Sequence, residues 1–113
     1  MEKPYRYTPN LLHTIDNIPM DSIVSRTIHD DEFTKVILFG FAKGQELSEH
    51  TASMPAIIHI LQGEFQIILG EDEIHAQSGS WFHLGANLTH ALTAKSQAVM
   101  LLTLIKNESE PDS

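Results

Sequence analysis

The feature that most restricts this chain is the shortness of its apolar stretches and the regularity with which turn residues cut them. Ser22–His29 (SIVSRTIH) partly alternates apolar with polar residues, and Thr34–Ala42 (TKVILFGFA) is β-branched and aromatic. Pro55–Leu61 (PAIIHIL) ends at Gly63, and Glu64–Leu69 (EFQIIL) runs into the turn signal Gly70-Glu71-Asp72. Glu73–Ala76, Trp81–Leu84, His90–Ala94 and Ala98–Ile105 complete the series. Turn residues recur about every 8–12 positions, the spacing of an all-β sandwich or barrel. No segment keeps a 3.6-residue period between caps, and Ala98–Ile105 (AVMLLTLI) is too short and uncapped to read as a helix.

With 113 residues the chain fits one domain that can bury a single core without covalent staples. Residues 1–20, carrying Pro4, Pro9 and Pro19, read as a lead-in and a candidate dimer arm. Residues 21–106 read as the barrel, and the charged tail 107–113 is expected to fray. There is no cysteine, so disulfides, thiolate metal sites and cysteine nucleophiles are excluded. That absence fits a reducing compartment, and the first residues lack an apolar signal core, so a cytoplasmic location is expected. No apolar run is long enough to span a bilayer as a helix. The formal charge of −8, from 15 acidic and 7 basic residues, repels phosphate backbones and anionic membrane surfaces. Neither nucleic acid nor membrane is an expected partner.

Two stretches carry the chemistry. In GQELSEHTASMPAIIHILQGE, Gly44 to Glu64, His50 and His59 stand in a strand-like run. In GSWFHLGANLTHAL, Gly79 to Leu92, a strand runs into Gly85-Ala86-Asn87, and His90 follows three residues later. Asn87 suits a left-handed turn position. Strand-borne histidines about 40 positions apart can converge inside a small barrel, and convergent imidazoles suit a divalent transition metal.

These stretches resemble the small single-domain cupins. Gly44, His50 and Gly63 match the family's first motif, and Gly79 and His90 match its second, with Asn87 at the turn's glycine position. The resemblance covers roughly residues 35–105. It implies a double-stranded β-helix, a jelly-roll barrel with a cavity, and commonly a dimer. The family's second histidine falls on Ala52 and its glutamate on Ala56, so two of the four usual metal ligands are absent. What remains implied is a cavity with a two-histidine remnant, His50 and His90.

A third ligand would have to come from elsewhere. Glu46 lies four residues before His50 and shares its face on an ideal strand, though a solvated carboxylate beside a turn explains it as well. His59 alternates with Ile58 and Ile60 and is expected to face away from Ala56, outward or into a subunit interface. His83 has the same ambiguity on its strand. Met54, Phe65, Trp81, Phe82 and Met100 are candidates for the lining of a ligand cavity, although residues of these types are more often plain core. Without metal, His50 and His90 are still a pair able to hydrogen-bond water or a small anion, or to exchange a proton near neutral pH.

No GxSxG elbow, phosphate-binding glycine loop or HExxH motif is present, and no nucleotide cofactor is expected. The expectation is therefore a small cupin-type barrel, a homodimer, that binds a small molecule, a divalent metal (Zn, Fe, Mn or Ni) or both. The alternative is a metal-dependent enzyme of oxygenase or isomerase type built on His50 and His90.

Overall fold

The structure is a computed structural model that describes residues 3–106; the tail expected to fray, 107–113, lies outside the described residues. Among the described residues, nine strands follow one 3-10 turn at Leu11–Thr14: β1 Ile23–Asp30, β2 Thr34–Phe41, β3 Glu46–His50, β4 Ala56–Gln62, β5 Glu64–Leu69, β6 Asp72–Gln77, β7 Trp81–Leu84, β8 His90–Ala94 and β9 Ala98–Ile105. They form a five-stranded sheet in the order β1-β2-β9-β4-β7 and a four-stranded sheet in the order β3-β8-β5-β6, all antiparallel. No helix among the described residues is long and apolar enough to cross a membrane.

The core lies between the two sheets and follows from period-two alternation. On β4, Ala56, Ile58 and Ile60 point in and are buried, while Ile57, His59 and Leu61 point out. Phe65 and Ile67 of β5, Leu92 and Ala94 of β8 and Met100 of β9 meet them. Phe41 and Phe65 bridge the sheets edge-to-face at 5.0 Å between centroids, the favoured arrangement for two ring quadrupoles.

Strand β3 is absent from the segments that periodicity picks out, because its sequence ELSEH carries one apolar residue, Leu47. It forms because β8 offers it a partner, with Glu46 opposite Thr93, Leu47 opposite Leu92 and His50 opposite His90.

The lead-in covers the β2 part of the outer face of the five-stranded sheet. Asn10 caps the 3-10 turn by accepting from the Leu12 amide at 3.1 Å. The chain then lays Ile15 and Ile18 over Gly40, where a Cβ would meet Ile18 at 2.8 Å. Leu38, on the same outward face two residues earlier, is 0% exposed. At the far end of β2, Asp31 closes the turn from β1 by accepting from the amides of Phe33 and Thr34, both at 2.8 Å. Lys106 ties the end of β9 to that turn through Asp30 and the Asp31 carbonyl, both at 2.6 Å.

Candidate functional site

The four-stranded sheet brings His50 and His90 side by side. The register places them directly opposite each other on β3 and β8. Their ring centroids are 4.2 Å apart with the planes tilted by 59°. His90 is two residues from buried Leu92, so alternation turns it toward the space between the sheets, and His50 turns with it. His50 is exposed and His90 half-buried, so the pair sits at the rim of the barrel.

Both rings are held by the same local device. His50 Nδ1 lies 2.8 Å from the Ser48 carbonyl oxygen, and His90 Nδ1 lies 2.9 Å from that of Leu88. A carbonyl oxygen only accepts, so each Nδ1 carries the proton and donates. In the neutral ring this leaves Nε2 with a free lone pair, which fixes the tautomer a ligand would meet. The turn before His90 is held as its sequence suggests: Asn87 has φ 66°, and its amide donates to the Ala52 carbonyl at 2.7 Å. That bond joins the loop after β3 to the loop before β8, and so links the segments that carry the two histidines.

The other candidate ligands stand elsewhere. The register of β3 against β8 shifts between Leu47 and His50. This irregularity reverses the parity that would place Glu46 beside His50. Glu46 instead pairs with Thr93 on the outer face, and its carboxylate accepts from the Thr93 hydroxyl at 3.3 Å. His59 and His83 are on the outward face of the five-stranded sheet, opposite Trp81 and Ile57 respectively. His59 thus points away from Ala56, as alternation on an unbulged strand requires. Among the described residues no group of three or more histidine, cysteine, aspartate or glutamate side chains is placed to hold a metal ion.

The expected cavity wall also divides. Phe65 and Met100 are fully buried in the core, where they fill the small barrel. Phe82 points inward and packs half-buried against that core. Met54 is half-buried in the loop before β4. Trp81 is a correction: it is 59% exposed and stands on the outer face, because Leu84 and Phe82 take the inward positions of β7. An open depression of about 870 Å³ lies away from the histidine pair. It lies between the lead-in and the β1–β2 turn, lined by Lys3, Tyr5, Arg6, Tyr7, His29 and Asp31 among others.

Comparison with solved structures bears on the fold directly. The chain is similar to a cupin superfamily protein from Desulfitobacterium hafniense, at 22% identity over 91% of this chain and 94% of that one, with a TM-score of 0.82. It is similar to an RmlC-like cupin from Desulfovibrio desulfuricans, at 25% identity over 89% and 97%, with a TM-score of 0.75. The chain is a small cupin-fold protein. The same architecture appears in a conserved protein of unknown function from Streptococcus pyogenes, at 27% identity over 96% and 93%, with a TM-score of 0.79. No family model and no curated protein matches the chain.

Within this cupin fold, the positions that could have supplied further donors are closed. Ala56 is buried between Leu84 and Leu104 in register, and Ala52 lends the site only a backbone carbonyl. The residues present fit a two-donor clamp and do not fit a metal centre held by protein alone, since zinc sites take three or four protein ligands. The useful signal that sequence reading missed is the pair of carbonyls at Ser48 and Leu88. Each lies two residues before its histidine, a spacing that recurs in both stretches.

Proposed function

We propose that this cupin-fold protein binds a small organic molecule at the rim of its barrel, with His50 and His90 as the groups that grip it. The observation that carries this reading is that two imidazoles 4.2 Å apart are each oriented by a backbone carbonyl. Orienting two side chains costs conformational entropy. Here the device is repeated on both strands and leaves both Nε2 atoms unengaged among the described residues. Leu69 in register with His90, and Leu47 and Leu92 next along the strands, set apolar side chains beside two placed polar groups, the usual character of a small-molecule site. A divalent metal would enter as an accessory to that ligand. The cysteine-free composition suits a reducing compartment such as the cytoplasm.

The test is a thermal-shift screen of small organic acids, with and without EDTA, on the wild type and on the His50→Ala/His90→Ala variant. The expected result is at least one compound that raises the wild-type midpoint and leaves the variant unmoved. Equal stabilisation of both proteins by every active compound would remove the histidine pair from the function.

We infer also that the outward face of the five-stranded sheet receives a second copy of this chain. On a molecule of net charge −8, the outward residues Ile57, His59, Trp81, His83, Leu101 and Thr103 include no carboxylate. The outward face of the four-stranded sheet carries Glu46, Glu64 and Glu73. A two-fold interface brings a patch against itself, so the uncharged β4, β7 and β9 part of this face, away from Arg26 on β1, is the part that can pair. The lead-in adds Tyr5 and Tyr7, 64% and 74% exposed, as aromatic surface able to reach a partner.

A further inference from the structure

Two histidines of this chain have an acid beside them. His29 lies 2.7 Å from the Asp31 carboxylate, and His75 lies 3.3 Å from that of Glu64. Among the described residues His59 and His83 have none. His59 stands opposite Trp81 and His83 opposite Ile57, which makes the two imidazoles diagonal neighbours across β4 and β7, about 7 Å apart. Their other neighbours on the face are Leu61 of β4 and Leu101 and Thr103 of β9. Beyond β9, β2 adds Thr34, Val36, Leu38 and Gly40. Charge on this side begins at β1, with Arg26 and the His29 that Asp31 holds. Arg26 shares a row with His59 but stands three strands away, about 14 Å at ordinary strand spacing. The lead-in over β2 adds His13 and Asp16, both exposed.

His59 is half-buried and His83 exposed on the single chain, so water can solvate either ring when it takes a second proton. Pressing the face against a second copy removes that water. Burial disfavours the charged ring, and no carboxylate on β4, β7 or β9 compensates it. A two-fold interface brings the same two rings from each side, so four imidazolium charges would gather there. The charge of the whole molecule pulls the other way. Protonating the seven histidines cancels most of the net charge of −8 and eases the repulsion between two copies. The two effects have opposite sign. The local one prevails at contact, because exposed charges are screened beyond about 8–10 Å in ordinary salt and buried ones much less.

We propose that the outward face of the five-stranded sheet pairs with a second copy only while His59 and His83 are uncharged, so that the dimer comes apart as the medium turns mildly acidic. This rests on the dimer reading above and adds its regulation. The sign follows from linkage. The neutral ring is favoured in the dimer, so association releases protons; it is strongest above about pH 6.5, the ordinary histidine range, and is lost below it. A ring that must stay neutral weakens association by up to about tenfold at one pH unit below that range. With four rings in a dimer, a weakening of about a hundredfold asks each ring for half of that limit on a logarithmic scale.

The test is sedimentation equilibrium of the full chain at about pH 7.5 and about pH 5.5, at one ionic strength, with far-UV circular dichroism on the same samples. The wild-type dimer is expected to weaken by about a hundredfold at the lower pH while its strand signal is unchanged. His59→Gln/His83→Gln, which cannot titrate on this face, is expected to remain a dimer at both. If glutamine itself loosens the contact in the double variant, each single variant serves, and each should keep a response of about tenfold. His75→Gln, on the other sheet, should respond as the wild type does. A wild-type dimer that holds or tightens at about pH 5.5 overturns the proposal and leaves the dimer reading standing. A full pH response in the double variant, or dissociation only where the strand signal is lost, also overturns it. A chain that is monomeric at both pH values removes the dimer reading and this inference with it.

Discussion

Glu46 and His50 lie on opposite faces of one short strand although four residues separate them. On a regular strand that spacing puts two side chains on the same side. The pairing shift between Leu47 and His50 inserts the extra step that turns Glu46 out to Thr93 and leaves His50 facing His90. The irregularity thus decides the ligand set: it costs the site a carboxylate and gives it the histidine pair. Glu46→Gln is therefore expected to leave small-molecule binding at the histidine pair at wild-type affinity. The loss of its bond to Thr93, an exposed contact, should change the denaturation midpoint only slightly. A large loss of ligand-induced thermal stabilisation in Glu46→Gln would show that the two side chains meet after all.

The dimer proposal is checked at Trp81, which is exposed, sits on the edge strand β7 and faces His59. Trp81→Glu puts a carboxylate into a face whose β4, β7 and β9 positions carry none, and in a two-fold interface every such charge enters twice. The wild type is expected to sediment at about twice the chain mass of 12.7 kDa, and Trp81→Glu as a monomer, with the His50–His90 site still able to bind its ligand. An unchanged dimer in Trp81→Glu would move the interface to another surface.

Much of the barrel was legible because alternation is a local property. Ala56, Ile58 and Ile60 against Ile57, His59 and Leu61 read the same in the sequence and in the sheet. The orientation of His59 and the left-handed turn at Asn87 follow from elementary geometry for the same reason. Three features were not legible. Strand β3 has too little apolar content to declare itself, and its irregular pairing depends on β8, far along the chain. The outward turn of Trp81 reflects which of two apolar neighbours wins the interior, and Phe82 and Leu84 win it together as the two inward positions of β7. The use of Leu38 and Gly40 as a seat for the lead-in needs the whole fold to be seen.

Gly63 is the most constrained backbone position at a turn. Its φ is +84°, and a Cβ there would come within 2.4 Å of the Gln97 carbonyl oxygen and 2.7 Å of the Ala98 Cβ. The conformational cost and the overlap with main chain add, so Gly63→Ala is expected to lose about 2–4 kcal/mol. Gly79 has φ +95° but nothing near its Cβ position. Gly79→Ala carries the conformational part alone and should lose about 1 kcal/mol. Urea denaturation of the two variants separates the steric part from the backbone part. Equal losses would mean that the Gly63 turn relaxes away from β9.

The β1–β2 turn makes a prediction about acid. The Asp31 carboxyl is held well below the ordinary aspartate range, first by His29 Nε2 at 2.7 Å and then by the amides of Thr34 and Phe33. A depressed carboxyl stabilises the fold at pH values above its unfolded value, about 3.9. That contribution fades as the pH falls toward the folded value. Wild type is therefore expected to exceed Asp31→Ala in urea midpoint by a constant margin from neutral pH down to about 5. The margin should shrink steadily below about 4. A margin that persists undiminished at pH near 2 would show that the ionised carboxylate is not what holds the turn.

The seat of the lead-in can be tested by exchanging volume across it. Gly40 lies under Ile18, whose side-chain carbons would be 2.8 and 2.9 Å from an added Cβ, with Ile15 at 3.1 Å. Gly40→Ala must push the isoleucines outward, at an expected cost of about 1–2 kcal/mol. Ile18→Ala removes the contact instead and should cost about 1–3 kcal/mol, since the residue is only half-buried. The two changes oppose each other in volume, so the double variant is expected to be more stable than the sum of the single losses predicts, by about 0.5–1 kcal/mol. Amide exchange over residues 10–20 should quicken in each single variant and partly recover in the double one. Strict additivity, with exchange in that segment unaltered, would mean that the lead-in is not docked on Gly40 in solution and that Leu38 is covered by something else.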